Sequence, residues 1–230
     1  RALRTAVYLL RALRQKAIDL NKIEHSGKLI PTRESFVLSG LIDDLRCCAE
    51  YLSQRESVVV HVNVDRRIQN TTIITDRGWS LLILINFLTN AIKHTREGEI
   101  AVSAGLVEDA GSGQMLRLRV ADSGVGVPID VASQLFRPHA QASKWRGGTG
   151  LGLYHVKELV TALGGVVGHA QNAPMGAIFW ADLPYVPLEP ESTPTIETVV
   201  VIEPTTQVMI ATPAPAPAPV DAPAAHSILV

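Results

Sequence analysis

Thr89-Asn90-Ala91-Ile92-Lys93-His94-Thr95 is the stretch on which the reading of this chain turns, set inside the longer run from Leu81 to Gly98. It reads as a helix. Leu81, Leu82, Ile83, Leu84 and Ile85 enter a buried layer, and Asp76 stands upstream among helix-start signals. Asn86, Asn90, Lys93 and His94 fall at i, i+4, i+7 and i+8, so they share one face. Two amides, an ammonium and an imidazole on a mostly apolar helix are costly to bury without partners. A metal-bound polyphosphate supplies such partners, with amide oxygens for Mg²⁺ and Lys93 for phosphate oxygens. Alone, the segment reads equally well as a buried helix with one solvated stripe, so its neighbours have to decide.

Upstream, Phe36 to about Gln54 is amphipathic, with Leu41, Leu45, Cys48 and Leu52 on one side. Val58-Val59-Val60-His61-Val62-Asn63-Val64 is β-branched and strand-like. Downstream, Glu99 to Val107 alternates with Ile100, Val102, Ala104 and Leu106 on one face. A turn over Glu108 to Gln114 follows, and Leu116, Leu118 and Val120 then alternate with Arg117 and Arg119. That pattern predicts a hairpin with one wet face. Val166 to Ala170 and Ala177 to Leu183 read as a closing strand pair.

The hairpin's second strand runs into Ala121-Asp122-Ser123-Gly124-Val125-Gly126. A carboxylate at a strand end followed by two glycines lets backbone approach a flat ligand, and Asp122 can accept a hydrogen bond from an exocyclic amine. The same letters are also an ordinary turn signal. Leu135-Phe136-Arg137-Pro138 then leads through a polar, basic loop, Gln141 to Arg146, into Gly147-Gly148-Thr149-Gly150-Leu151-Gly152-Leu153. These glycines feed a helix with Leu153, Val156, Val160 and Leu163 on one face, ended by Gly164 and Gly165. Free N–H groups and the dipole at such a helix start favour anions, which makes the loop a polyphosphate cradle. No GKS or GKT follows, so it is not a Walker A loop.

Taken together and in this order, the motifs resemble the ATP-binding domain of sensor histidine kinases, within the GHKL group of ATPases. Asn86 to Thr95 is similar to that family's N box, Asp122 to Gly126 to its G1 box, Leu135-Phe136 to its F box and Gly148 to Leu153 to its G2 box. The resemblance covers about Phe36 to Pro184. It implies an α/β two-layer sandwich, a mixed sheet with helices on one face, preceded by a dimerisation-bundle helix. It implies ATP and Mg²⁺ as cofactors, with Asn86 and Asn90 holding the metal and phosphates and Lys93 contacting phosphate. His94 stands where an aromatic residue often packs near the adenine. By the same resemblance Asp122 binds the adenine amine, and Gly124 and Gly126 shape its pocket. Pro138 to Gly147 form an ATP lid with Lys144 and Arg146 as candidate phosphate partners, and Gly148, Thr149, Gly150, Leu151 and Gly152 cradle the phosphates.

One position separates the branches of the group. Where the gyrase B, mismatch-repair and heat-shock branch carries a water-activating glutamate, this chain has Asn86, an amide that cannot act as a base. The resemblance therefore implies phosphotransfer to a histidine rather than hydrolysis. A degenerate kinase acting as a nucleotide-dependent interaction module, or a GHKL-type ATPase, is the alternative. Two positions depart from the pattern: His139 replaces the second F-box phenylalanine, and Gly176-Ala177 replaces the usual GS before the last strand.

Composition limits the other possibilities. The 230 residues carry 21 Lys plus Arg against 22 Asp plus Glu, a balance that offers no bulk attraction to nucleic acid or anionic lipid. Cys47 and Cys48 are adjacent, which suits neither a disulfide framework nor a CxxC metal or redox site. No run of 18 apolar residues occurs, so no membrane segment is expected in this stretch. A cytoplasmic location is expected, with any membrane attachment of the parent protein upstream.

Arg1 to about Glu24 shows a heptad seam of Leu3, Ala6, Leu10, Leu13, Ala17 and Leu20, stopped by Gly27 and Pro31. Residues 1–29 resemble the second helix of the family's dimerisation hairpin, which implies a homodimer. The chain opens without Met and in mid-helix by pattern, as a fragment of a larger protein would. Neither His25 nor His61 has the context of the family's phosphoacceptor, so the chain is expected to hold a donor site whose acceptor helix lies elsewhere in the parent. Residues 33–185 are the expected catalytic domain and 186–226 a linker. Nine of the 14 prolines follow Val186, and Pro213 to Pro219 alternates with Ala, a composition that favours extended polyproline II. Ser227-Ile228-Leu229-Val230 is similar to the first strand of a response-regulator receiver domain, which implies a hybrid kinase with a receiver as partner.

Overall fold

Asp76 starts the longest helix among the described residues. Its Oδ1 accepts from the Trp79 amide at 2.8 Å and its Oδ2 from the Thr32 amide at 2.8 Å, so one side chain caps the helix and fixes the approaching chain. The computed structural model describes residues 14, 15, 18, 19, 29–53, 57–109, 111, 113–138 and 150–188. Most of the N-terminal heptad seam, residues 139–149 (the expected lid apart from Pro138, with Gly148 and Thr149 of the glycine box), and the linker and tail beyond Leu188 lie outside the described residues.

In chain order the elements are β1 (Glu34–Val37), α1 (Leu38–Leu52), β2 (Val58–Val64), β3 (Thr72–Thr75) and α2 (Arg77–His94). They continue with β4 (Gly98–Asp109), β5 (Gly113–Asp122), α3 (Ile129–Ala132), α4 (Gly152–Ala162), β6 (Val166–Gln171) and β7 (Ala177–Pro184). The main sheet has five strands in the order β2-β4-β5-β7-β6. β2 runs parallel to β4, and every other neighbour is antiparallel. A parallel pair needs a long crossover, and β3 with α2 supplies it. A second, two-stranded sheet pairs β1 with β3.

Period-two alternation puts Ile100, Val102 and Ala104, Leu116, Leu118 and Val120, and Ala177, Phe179, Ala181 and Leu183 on one buried face. Helices α1, α2 and α4 cover that face, which gives the expected two-layer sandwich. Between Trp79 and Leu88, α2 is buried all round, because it is clamped between the sheet and its neighbouring helices. Phe87 stacks on Phe179 with ring centroids 5.8 Å apart, and a fully buried ring of this size contributes about 3 kcal/mol. The buried Asp44 of α1 pairs with the Arg77 guanidinium at the start of α2, locking two helices together over the core.

Local differences from the sequence reading have physical causes. The amphipathic helix begins at Leu38 rather than Phe36, because Glu34 to Val37 are drawn into β1. The hairpin turn is tighter than Glu108 to Gln114, with strand pairing running out to Asp109↔Gly113. Gly113, at φ +75°, makes that tightness affordable, since a side chain there is strained. The two-stranded β1–β3 sheet is absent from the sequence reading. On the open face, Arg117 forms a two-bond pair with Asp182 (2.7 Å each) and lies 4.5 Å from the Trp180 ring, so the wet face is half covered.

Candidate functional site

The C-terminal half of α2 brings the predicted polar face together. Asn86 is buried, whereas Asn90, Lys93 and His94 are half-buried. Asn86 Nδ2 donates to the Leu82 carbonyl at 2.8 Å, so part of the cost of burying this amide is met inside its own helix. Asn90 differs: among the described residues its side chain makes no hydrogen bond. Lys93 and His94 occupy the last turn, where positive charge suits the helix dipole.

Asp122 ends β5 and is only 3% exposed. Its Oδ1 accepts from the Gly124 amide at 2.9 Å and from the Ala177 amide at 3.2 Å. Burial raises the carboxyl above its ordinary range, although these two bonds and the nearby His94 pull the other way. Among the described residues no hydrogen bond reaches Oδ2. The Asp122 carboxyl is thus oriented by backbone at one oxygen, with the other left as an acceptor.

The two glycines after Asp122 allow close approach, for different reasons. A Cβ on Gly124 would sit 2.5 Å from the His94 carbonyl oxygen, so the loop after β5 lies directly on the end of α2. Gly126 has φ +72°, a conformation L side chains rarely adopt. The loop's start is also tied to β4, through Ser123 N to Glu99 O at 3.0 Å and Glu99 N to Ser123 Oγ at 2.9 Å.

Downstream, Leu135 is buried in the core and Phe136 packs edge-on against His169, centroids 6.3 Å apart. Gly150 has φ +69°, Leu151 is the N-cap of α4 and Gly152 its first residue. Lys144, Arg146, Gly148 and Thr149 lie outside the described residues. One turn into α4, His155 is fully buried, and its Nε2 lies 3.8 Å from Oδ2 of the equally buried Asp19. Gln15 holds the other Asp19 oxygen at 2.8 Å.

Sequence reasoning missed the residues that grip the Asp122 loop from the far strand pair. Asn172 Nδ2 donates to the Asp122 carbonyl at 2.8 Å, and Gln171 Nε2 donates to the Val127 carbonyl at 2.6 Å. Gly176, at φ +117°, presses so closely on the Asp122 carbonyl that a Cβ there would overlap it. The Asn-x-Pro turn letters at 172–174 are the one signal that pointed to this connection.

Residues 75–187, which span α2, the Asp122 loop, α4 and the closing strands, match the family described as histidine kinase-, DNA gyrase B-, and HSP90-like ATPase. The chain carries a histidine kinase-type ATPase domain. It is 31% identical over 204 residues to the sensory/regulatory protein RpfC of Xanthomonas campestris pv. campestris, covering 81% of this chain and 26% of that protein. It is 30% identical to the sensor histidine kinase AruS of Pseudomonas aeruginosa, covering 80% of this chain and 18% of that one. Full-length ShkA, crystallised in complex with AMPPNP, superposes with a TM-score of 0.63 at 28% identity, covering 81% of this chain and 38% of that structure. The chain thus spans about a quarter or less of the curated relatives named here. The matched family is one of ATPases, which makes ATP the nucleotide of that family. Among the described residues, no helix is long and apolar enough to cross a membrane, and no three His, Cys, Asp or Glu side chains cluster as metal ligands.

That last point bears on Mg²⁺. Among the described residues no carboxylate cluster is on offer, and amide oxygens on α2 are hard donors of the kind Mg²⁺ accepts alongside phosphate and water. Asn90, whose amide is not engaged by the described residues, fits this role. Asn86 fits it in part, since its amide nitrogen is already turned to Leu82.

Proposed function

We propose that this ATPase domain is the phosphate donor of a sensor histidine kinase, passing the ATP γ-phosphate to a histidine on a dimerisation helix outside residues 1–230. The observation that carries the proposal is the meeting of the buried Asp122 carboxylate with the end of α2, on which Asn90, Lys93 and His94 share a face. Asp122 would take the adenine amine, with Gly124 and Gly126 allowing the ring to lie against backbone. Lys93 would bind phosphate oxygens, and Gly148 to Gly152 would cradle them at the α4 N-terminus, with Lys144 and Arg146 adding charge. Asn90, aided by Asn86, would hold Mg²⁺, which supplies charge neutralisation between the phosphates when bound.

Phosphoryl transfer asks a protein mainly for positioning and charge stabilisation, and these side chains can provide both. Asn86 supports transfer over hydrolysis, because an amide has no basic site with which to activate water. In the same reading residues 1–29 belong to the dimerisation hairpin, 33–185 form the catalytic domain, 186–226 link it onward, and 227–230 open a receiver. The parent is a homodimeric hybrid kinase with this part in the cytoplasm.

The decisive experiment supplies the missing acceptor. The 230-residue chain should bind ATP with Mg²⁺, label itself very little from γ-labelled ATP, and phosphorylate the parent's dimerisation helix added in trans. The product should be acid-labile and base-stable, as phosphohistidine is. Fast ATP turnover with no phosphohistidine would instead support an ATPase, and binding with neither activity would support an interaction module.

A further inference from the structure

The connection between β6 and β7 closes itself with a backbone bond, from the Asn172 amide to the Gly176 carbonyl at 3.0 Å. Two of its side chains do something further. They reach across to the loop after β5 and take hold of it at both ends, Asn172 at the Asp122 carbonyl and Gln171 at the Val127 carbonyl. The sheet register explains why the first grip is needed. Pairing between β5 and β7 stops at Ala121↔Ile178, so the Asp122 carbonyl lies one residue beyond the last paired position. It is also the atom on which the Gly176 backbone presses. A carbonyl in that position needs a donor, and the Asn172 side chain supplies one.

The same few atoms set the carboxylate. Ala177, next to Gly176, donates its amide to Asp122 Oδ1 at 3.2 Å, the longer of the two bonds that carboxylate accepts. That bond holds only while the Gly176–Ala177 backbone stays seated on Asp122. Asn172 pins the Asp122–Ser123 peptide from one side as Gly176 meets it from the other. We propose that Asn172 is a positioning residue for recognition of the nucleobase: its amide holds the Asp122 peptide, and so aims the Asp122 carboxylate. This rests on Asp122 being the ligand of the adenine amine. Gln171, at the exposed end of the grip, acts on the loop's far side and has a smaller part.

Asn172→Ala, Asn172→Ser, Gln171→Ala, Asp122→Asn and the double variant Asp122→Asn/Asn172→Ala test this in the 230-residue chain. Dissociation constants are measured for ATP and for ITP, which has a carbonyl where ATP carries its amine. Losing the aim of one hydrogen bond should weaken ATP binding about fivefold in Asn172→Ala, equivalent to about 1 kcal/mol. ITP should change by less than about twofold, so the ATP-to-ITP preference falls; Tm should fall as well, because the Asp122 carbonyl loses its donor, but that loss is common to both nucleotides. Asn172→Ser, whose hydroxyl can donate, should recover part of the preference, and Gln171→Ala should move it less. In the Asp122→Asn background, adding Asn172→Ala should cost under about twofold, because the group it aims is already altered.

An equal loss of ATP and ITP, an unchanged ATP affinity, or a full fivefold loss persisting beside Asp122→Asn would each overturn the proposal. If Asn172→Ala does not fold, the Asn172→Ser preference decides: no shift from the parent overturns it. A parent chain that binds no ATP sinks the proposed function as well, whereas a parent that binds ATP with an unmoved preference sinks this inference alone.

Discussion

The two ends of the candidate site are held by different means. At the Asp122 end, one carboxylate is fixed by amides of Gly124 and Ala177, its carbonyl is held by Asn172, and glycine backbone packs on it from two directions. Along α2, the functional side chains are carried on one helix face, and among the described residues the Asn90 side chain makes no hydrogen bond at all. The difference follows from what each end is proposed to recognise. A neutral, flat base is told from others by direction, which a clamped acceptor provides. A polyphosphate is gripped by charge and by metal, which tolerate adjustable partners.

The strongest way to break this comparison is Asn90→Ala. We expect it to lower phosphotransfer in trans by about 100-fold or more, with Tm unchanged, since its side chain makes no hydrogen bond among the described residues and is proposed to serve the ligand. A variant that unfolds instead would mean the α2 face is held as tightly as the other end. Gly176→Ala tests the clamped end. Its Cβ would overlap the Asp122 carbonyl at a φ of +117°, and we expect a loss of about 3 kcal/mol or more in urea unfolding. Normal stability would show that the β6–β7 turn can lift off without cost.

Asp122→Asn separates ligand from fold at a single position. The amide oxygen still accepts from Gly124 and Ala177, but its nitrogen can turn toward the adenine amine. Calorimetry should show ATP binding weakened by about ten- to a hundred-fold, for a charge-assisted bond of about 1.5–3 kcal/mol. The fold should respond oppositely. Burial raises the Asp122 pKa, so the native state binds more protons than the unfolded state just above the ordinary carboxylate range. There this group favours the fold most at acid pH, and its contribution declines as pH rises through the raised value. Asp122→Asn removes that decline, and its Tm without nucleotide should equal or exceed the parent's at neutral pH.

The smallest effect expected lies far from both ends. Burial, with Asp44 and Cys47 adding to it, pushes the Cys48 thiol up to about 11. A thiol reagent at pH 8 should therefore modify the half-buried Cys47 and spare Cys48 until the domain unfolds. Equal labelling of both would mean that α1 opens readily.

What the sequence disclosed follows from which interactions leave a local trace. The long helix was legible because the five apolar residues Leu81 to Ile85 and an Asp upstream precede a polar stripe at helical spacing. Asp122 was legible because a strand pattern stopped at a carboxylate and two glycines. Its clamp was not, because Asn172 acts from fifty residues away, and a side-chain bond over that distance imprints no periodicity. β1 and β3 escaped for a related reason: Glu34-Ser35-Phe36-Val37 is too short and mixed to read as a strand without Thr72 to Thr75 beside it. The basic loop and its glycines were read by charge and by resemblance, and His139 to Thr149 lie outside the described residues.

The pairing of β5 with β7 has a consequence in polymer terms. These neighbouring strands are joined only through the whole excursion that contains α3, α4 and β6. The entropy of closing a flexible loop grows with the logarithm of its length, and doubling the length costs only about 0.6 kcal/mol. Residues inserted between α3 and α4 would therefore weigh little on a sheet whose register is set by Ala121↔Ile178 and its neighbours. The fold can take a connection of different length between those two helices and keep the rest of the sheet as it is.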